Sequence, residues 1–77
     1  MHEELEEGRV IHVKVRDTYF KMKKTTNMSQ LFEAYARTTG VSICCLRFYL
    51  DGEQLDPTQT PLMLELEEGQ TINVYRG

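Results

Sequence analysis

Cys44 and Cys45 are the only thiols in a chain of 77 residues, and they are neighbours. A thiol pair could bind a metal, form a bridge or attack an electrophile. Bridging adjacent cysteines demands an unusual peptide geometry, so free thiols are expected, one of them turned inward as a small apolar residue. Free thiols suit a reducing compartment, nucleus or cytoplasm. A metal site would need more ligands than these two and the distant His2 and His12 supply. Neither histidine has an acid and a nucleophile at a useful spacing, and no phosphate-binding glycine loop is present. The residues therefore argue against an enzyme, and no cofactor is expected.

The charged residues suggest binding instead. From Arg9 to Lys24 the positives are Arg9, Lys14, Arg16, Lys21, Lys23 and Lys24, against Asp17 alone. From Asp51 to Glu68 the negatives are Asp51, Glu53, Asp56, Glu65, Glu67 and Glu68, with no positive between them. Two faces of opposite sign could steer two different partners. Solvated strand positions account for the same pattern without any partner. KMKK beside Tyr19 and Phe20 is the one stretch suited to nucleic acid, but it is short, and the net charge of −3 argues against that partner. No apolar run is long enough to cross a membrane, and the acidic opening HEELEEG is unlike a signal peptide. Residues 1–8 are expected as a flexible acidic lead-in to a single monomeric domain over 9–77.

The elements that must position these groups follow from periodicity. RVIHVKVRDTYFKMK alternates Val13 and Val15 with Lys14 and Arg16, then Phe20 and Met22 with Lys21 and Lys23, predicting a hairpin that turns at Asp17-Thr18. A helix of about three turns follows. Thr26 or Asn27 would cap its start, Asn27 with Gln30 at capping-box spacing. Met28, Leu31, Ala34 and Tyr35 form its apolar stripe, and Gly40 would close it. LRFYL is a strand, Asp51-Gly52 a tight turn, and a short strand is expected around Gln54-Leu55. LMLEL predicts one helical turn, and TINVY a last strand with Ile72 and Val74 inward. One main helix on a four- to five-stranded mixed sheet, with the first and last long strands parallel at its centre, is an α+β protein of β-grasp type.

From Val10 to Tyr75 the chain resembles the small ubiquitin-like modifier (SUMO) family. The resemblance rests on VKV, FKMK with TT, the helix segment LFEAY, GVS, LRFYLDGEQL, TP and LELEEGQTINVY. It implies a ubiquitin-like β-grasp fold and a peptide-binding groove between the second strand and the helix. Apolar peptides flanked by acids add there as an extra strand. The matching positions are Phe20, Lys21, Met22, Lys23, Thr26, Leu31 and Tyr35, although core packing explains Phe20, Leu31 and Tyr35 equally well. Gln30 and Thr38 replace basic residues that border this groove in the family, which implies weaker affinity for acidic peptides. The resemblance also implies a surface that binds the SUMO conjugating enzyme. It would comprise Arg47, Asp51, Gly52, Glu65, Glu67 and Glu68, although Asp51 and Gly52 read equally as a plain turn.

A modifier of this family ends in a tail closing on two glycines. Here only Arg76 and Gly77 follow Tyr75, about 7 Å at full stretch. Gly77 is thus a doubtful conjugation tail, and two expectations stay open. One is a covalent modifier joined to target lysines by isopeptide bonds and read by proteins with SUMO-interacting motifs. It would also use an activating enzyme, ligases and proteases if the tail exists. The other is a SUMO-like domain, never conjugated, that recruits the conjugating enzyme to a host protein. The closeness of the match favours the modifier. None of the four lysines lies in a Lys-x-Glu motif, so self-linked chains are not expected.

Overall fold

The computed structural model describes residues 10–77; the expected lead-in, with His2 and Arg9, lies outside the described residues. Strand β1 (Val10–Val15) and strand β2 (Thr18–Lys23) form the hairpin that the alternation predicts. Ile11, Val13 and Val15 are buried, whereas His12 is exposed. Val15 pairs with Thr18, so the turn is Arg16-Asp17, one residue earlier than expected. A two-residue loop must match the twist of its strands, and Arg16 does so by taking a left-handed φ of 57°.

Helix α1 (Met28–Thr39) buries Met28, Leu31, Phe32 and Tyr35. Phe32 replaces Ala34 in the expected stripe. Its ring stacks on Phe48, with centroids 4.1 Å apart and planes 6° from parallel, while Ala34 is only half-buried. The expected capping box does not form, since Asn27 makes no side-chain cap bond. Instead the Met28 and Ser29 N–H groups donate to the carbonyls of Gln59 (2.7 Å) and Pro57 (3.1 Å). A distant loop thus satisfies donors that every helix start leaves open. At the other end Gly40, at φ 76°, donates its N–H to the Ala36 carbonyl as the sequence predicts.

A short 3₁₀ turn over Ile43–Cys45 leads into β3 (Leu46–Leu50). Both cysteines are free and exposed, so neither turns inward. Val41 and Leu46, flanking the turn, pack against the core there instead. Asp51 and Gly52 both have positive φ, 53° and 86°, as a mirror-image hairpin turn requires. Strand β4 is Glu53–Gln54, one residue earlier than expected; Leu55 is buried and donates its N–H to the Phe48 carbonyl. Helix α2 (Pro61–Leu64) is one turn, capped by the Thr60 hydroxyl, which accepts from the Met63 N–H. Strand β5 (Thr71–Arg76) runs parallel to β1 and antiparallel to β3.

The strand order is β2-β1-β5-β3-β4, a five-stranded mixed sheet carrying one main helix on one face, which is the β-grasp architecture. The central pair carries the core, with Val13, Val15 and Ile72 fully buried beside Met28. This order leaves β2 at one edge and the two-residue β4 at the other.

Candidate functional site

Strand β2 hydrogen-bonds to β1 on one side, and among the described residues no strand lies on its other side. An open edge of this kind presents backbone donors and acceptors to any extended segment. Beside it, β2 and α1 enclose a groove of about 680 Å³. Six of the seven residues nominated from the resemblance line it: Phe20, Lys21, Met22, Lys23, Thr26 and Leu31.

Alternation explains the division of labour. Met22 is buried and Phe20 half-buried on the helix side, while Lys21 and Lys23 are exposed at the edge. The seventh residue, Tyr35, does not line the groove. Its ring lies behind Phe20, at 6.3 Å between centroids, and meets Phe48 edge-on at 5.9 Å. Tyr35 therefore couples the groove to the core: a shift of Phe20 must be absorbed by a buried ring. Edge-to-face pairs of this kind contribute about 0.5–1.5 kcal/mol beyond the area they cover.

The helix side of the groove differs from expectation at one position. Gln30 borders it, but Thr38 does not; the Thr38 hydroxyl is turned back to the Ala34 carbonyl at 2.9 Å. Arg37 borders it instead, with Ala34 and with Val10 of β1. Helical spacing could have found Arg37, since positions 30, 34 and 37 share a face one step round from the buried stripe. The groove thus has a cation on its helix wall as well as on its strand rim.

The six residues nominated for the conjugating enzyme fall on two stretches of chain. Arg47 and Gly52 line a shallow depression of about 470 Å³ on the open face of the sheet, together with Tyr49, Asn73 and Tyr75. Tyr49 and Tyr75 meet edge-on at 5.5 Å. Asp51 shares the turn with Gly52 and is exposed. Glu65, Glu67 and Glu68 belong to the connection between α2 and β5. Glu65 ends α2 at φ 57°, and the Glu67 N–H donates to Gln70 Oε1.

Glu68 has a role that the sequence did not suggest. It accepts the His12 backbone N–H at 3.0 Å, and its other oxygen lies 2.7 Å from the His12 ring nitrogen Nδ1. The Gly69 N–H donates in turn to the His12 carbonyl. The His12 backbone N–H, followed by the ring, holds the Glu68 carboxyl below the ordinary glutamate range. Gly77 is tied down as well, its N–H bonded to the Cys45 carbonyl at 2.9 Å. No group of His, Cys, Asp or Glu able to hold a metal occurs among the described residues.

The fold and the open-edged groove define a ubiquitin-like protein. The family model for Ubiquitin-2 like Rad60 SUMO-like proteins matches residues 10–75, and the chain belongs to that family. It is 45% identical over 56 residues to ubiquitin-like protein pmt3/smt3 of Schizosaccharomyces pombe, covering 73% of this chain and 48% of that one. It is 42% identical over 57 residues to small ubiquitin-related modifier 3 of Danio rerio, covering 74% and 61%. It is 35% identical over 68 residues to the small ubiquitin-related modifier of Caenorhabditis elegans, covering 88% and 75%. The chain therefore spans about half to three fifths of the length of the first two relatives.

Proposed function

We propose that this chain acts as a SUMO-type protein modifier, read by short peptides that bind along β2. An apolar segment rich in valine and isoleucine and flanked by acids would add as a sixth strand. Its backbone would bond to the open edge of β2, its side chains would rest on Phe20, Leu31 and Ala34, and its acids would meet Lys21, Lys23 and Arg37. The observation that carries this reading is the coincidence, on one strand, of an edge with no partner strand among the described residues, an apolar groove and a cationic rim. The chain's likeness to small ubiquitin-related modifiers supports the same role.

The modifier would be joined to target lysines through a C-terminal glycine tail, with activating enzyme, conjugating enzyme, ligases and proteases as its partners, in nucleus and cytoplasm. The conjugating enzyme would also bind noncovalently through Arg47 and the acids of the α2–β5 connection.

Titration with such a peptide tests the groove. Phe20→Ala should weaken binding about tenfold, the loss of a partly buried ring contact. Lys23→Glu should weaken it by a few-fold, since an exposed ion pair is worth about 0.2–1 kcal/mol. Unchanged affinity in both variants would remove the groove from the reading. Covalent attachment is tested separately, by incubating the full-length natural protein with activating and conjugating enzymes and ATP. Failure to form a thioester with the activating enzyme would remove the modifier role and leave the groove standing.

A further inference from the structure

The cysteines have no part in the core or the groove, yet their setting is that of a reactive site. Both thiols are exposed in one 3₁₀ turn, Ile43–Cys45. The Ser42 hydroxyl lies 3.2 Å from Cys44 Sγ, and the turn is closed by the Cys45 N–H, which donates to the Ser42 carbonyl at 2.9 Å. A hydroxyl at that position can donate to a thiolate. Reactivity of a cysteine follows access and thiolate character together.

We propose that the Ile43–Cys45 turn carries a thiol–disulfide exchange site, with Cys44 as the attacking sulfur and low-molecular-weight disulfides of the glutathione type as its co-substrates. Ser42 acts as a positioning residue that stabilises the Cys44 thiolate. In the reaction the Cys44 thiolate attacks one sulfur of the disulfide. A protein–S–S bond forms as the original S–S bond breaks. The other half of the small disulfide leaves as a thiolate and takes a proton from water. The protein thiol is oxidised and one half of the small disulfide is reduced, so no further oxidant is needed. The Ser42 hydroxyl holds the Cys44 pKa below its ordinary value, in keeping with its contact to the sulfur.

The position of the turn gives the adduct a consequence. The Cys45 carbonyl holds the Gly77 N–H, directly beyond the Leu46–Arg76 pairing of β3 and β5. The Arg47 guanidinium also lies against Gly77, about 3.4 Å from where a Cβ on that glycine would stand. A bulky, anionic glutathionyl group on Cys44 is attached one residue before the carbonyl that holds the end of β5. It should loosen the last hydrogen bond there.

The test is intact-mass kinetics with glutathione disulfide at neutral pH. The wild type should gain one glutathionyl group. Cys45→Ser should still gain it at a rate within about threefold of wild type, whereas Cys44→Ser should react about tenfold more slowly, as thiolate fraction sets exchange rates. Ser42→Ala should keep the fold by circular dichroism and shift the midpoint of the pH–rate profile upward. Equal rates for Cys44→Ser and Cys45→Ser, or a Ser42→Ala profile that does not move, overturns the assignment. In the wild-type adduct the Gly77 amide should exchange with solvent faster than in the reduced chain. An unchanged Gly77 amide overturns the link to the strand end.

Discussion

Two carboxylates show how single residues hold long stretches of this chain in place. Glu68 ties the α2–β5 connection to β1 through His12. Asp56 accepts the Thr58 N–H and hydroxyl at 2.9 and 2.7 Å, which shapes the 56–59 loop whose carbonyls cap α1. In both cases the folded state holds the carboxyl below its ordinary pKa, Glu68 through the His12 N–H and Asp56 through the Thr58 N–H. A depressed folded-state pKa gives stability that is present above the unfolded pKa, near 4.5 for Glu68 and 3.8 for Asp56. It is lost as pH falls through the folded value. Melting temperature should therefore drop on the acid side of those values. Glu68→Gln and Asp56→Asn should each flatten that acid limb, together more than singly; thermal melts across the acid range check this. An acid limb as steep in the double variant as in the wild type would show that other groups govern it.

The helices obey different rules at their two starts, and variants should separate them. Helix α2 is capped locally by Thr60, so Thr60→Ala should cost about 1 kcal/mol. Helix α1 takes its cap from the backbone of residues 57 and 59, so Asn27→Ala should cost under about 0.5 kcal/mol despite the favourable residue type. Urea denaturation measures both, and a larger loss for Asn27→Ala would reverse the assignment. At the far end of α1, a Cβ on Gly40 would meet no atom within 4 Å, so the cost of Gly40→Ala is that of the left-handed backbone alone, about 1–2 kcal/mol. Strand β2 lies at one edge of the sheet. Its exposed Lys21 and Lys23 guard an open edge against pairing with copies of itself. Replacing both by threonine should raise self-association in light scattering, and added peptide should suppress it by occupying the edge.

At the scale of the whole molecule, a small sheet has little core to spare. Ile72 is fully buried on the central strand, so Ile72→Ala should cost about 2–5 kcal/mol, a large part of the stability of a domain this size. Much of this architecture was legible beforehand because it is written within a few residues. The alternation of Val13 and Val15 with Lys14 sets the face of a strand. Asp51-Gly52 accepts the positive φ angles that a two-residue turn demands, and Gly40 accepts the left-handed angle that ends a helix. The groove residues were nominated from the resemblance; alternation alone says only that Lys21 and Lys23 face away from Phe20 and Met22. Other features depend on segments far apart in the chain, and local spacing carries no record of them. Phe32 rather than Ala34 joins the core because Phe48 lies opposite to stack on it. Loop 57–59 replaces the Asn27 cap, and Glu68 crosses to His12. Both cysteines stay outside because Val41 and Leu46 pack there instead. Backbone angles and side-chain alternation are properties of neighbours, and the amino-acid order determined them. Which surfaces meet is a property of packing among distant residues, and only the folded chain decided it.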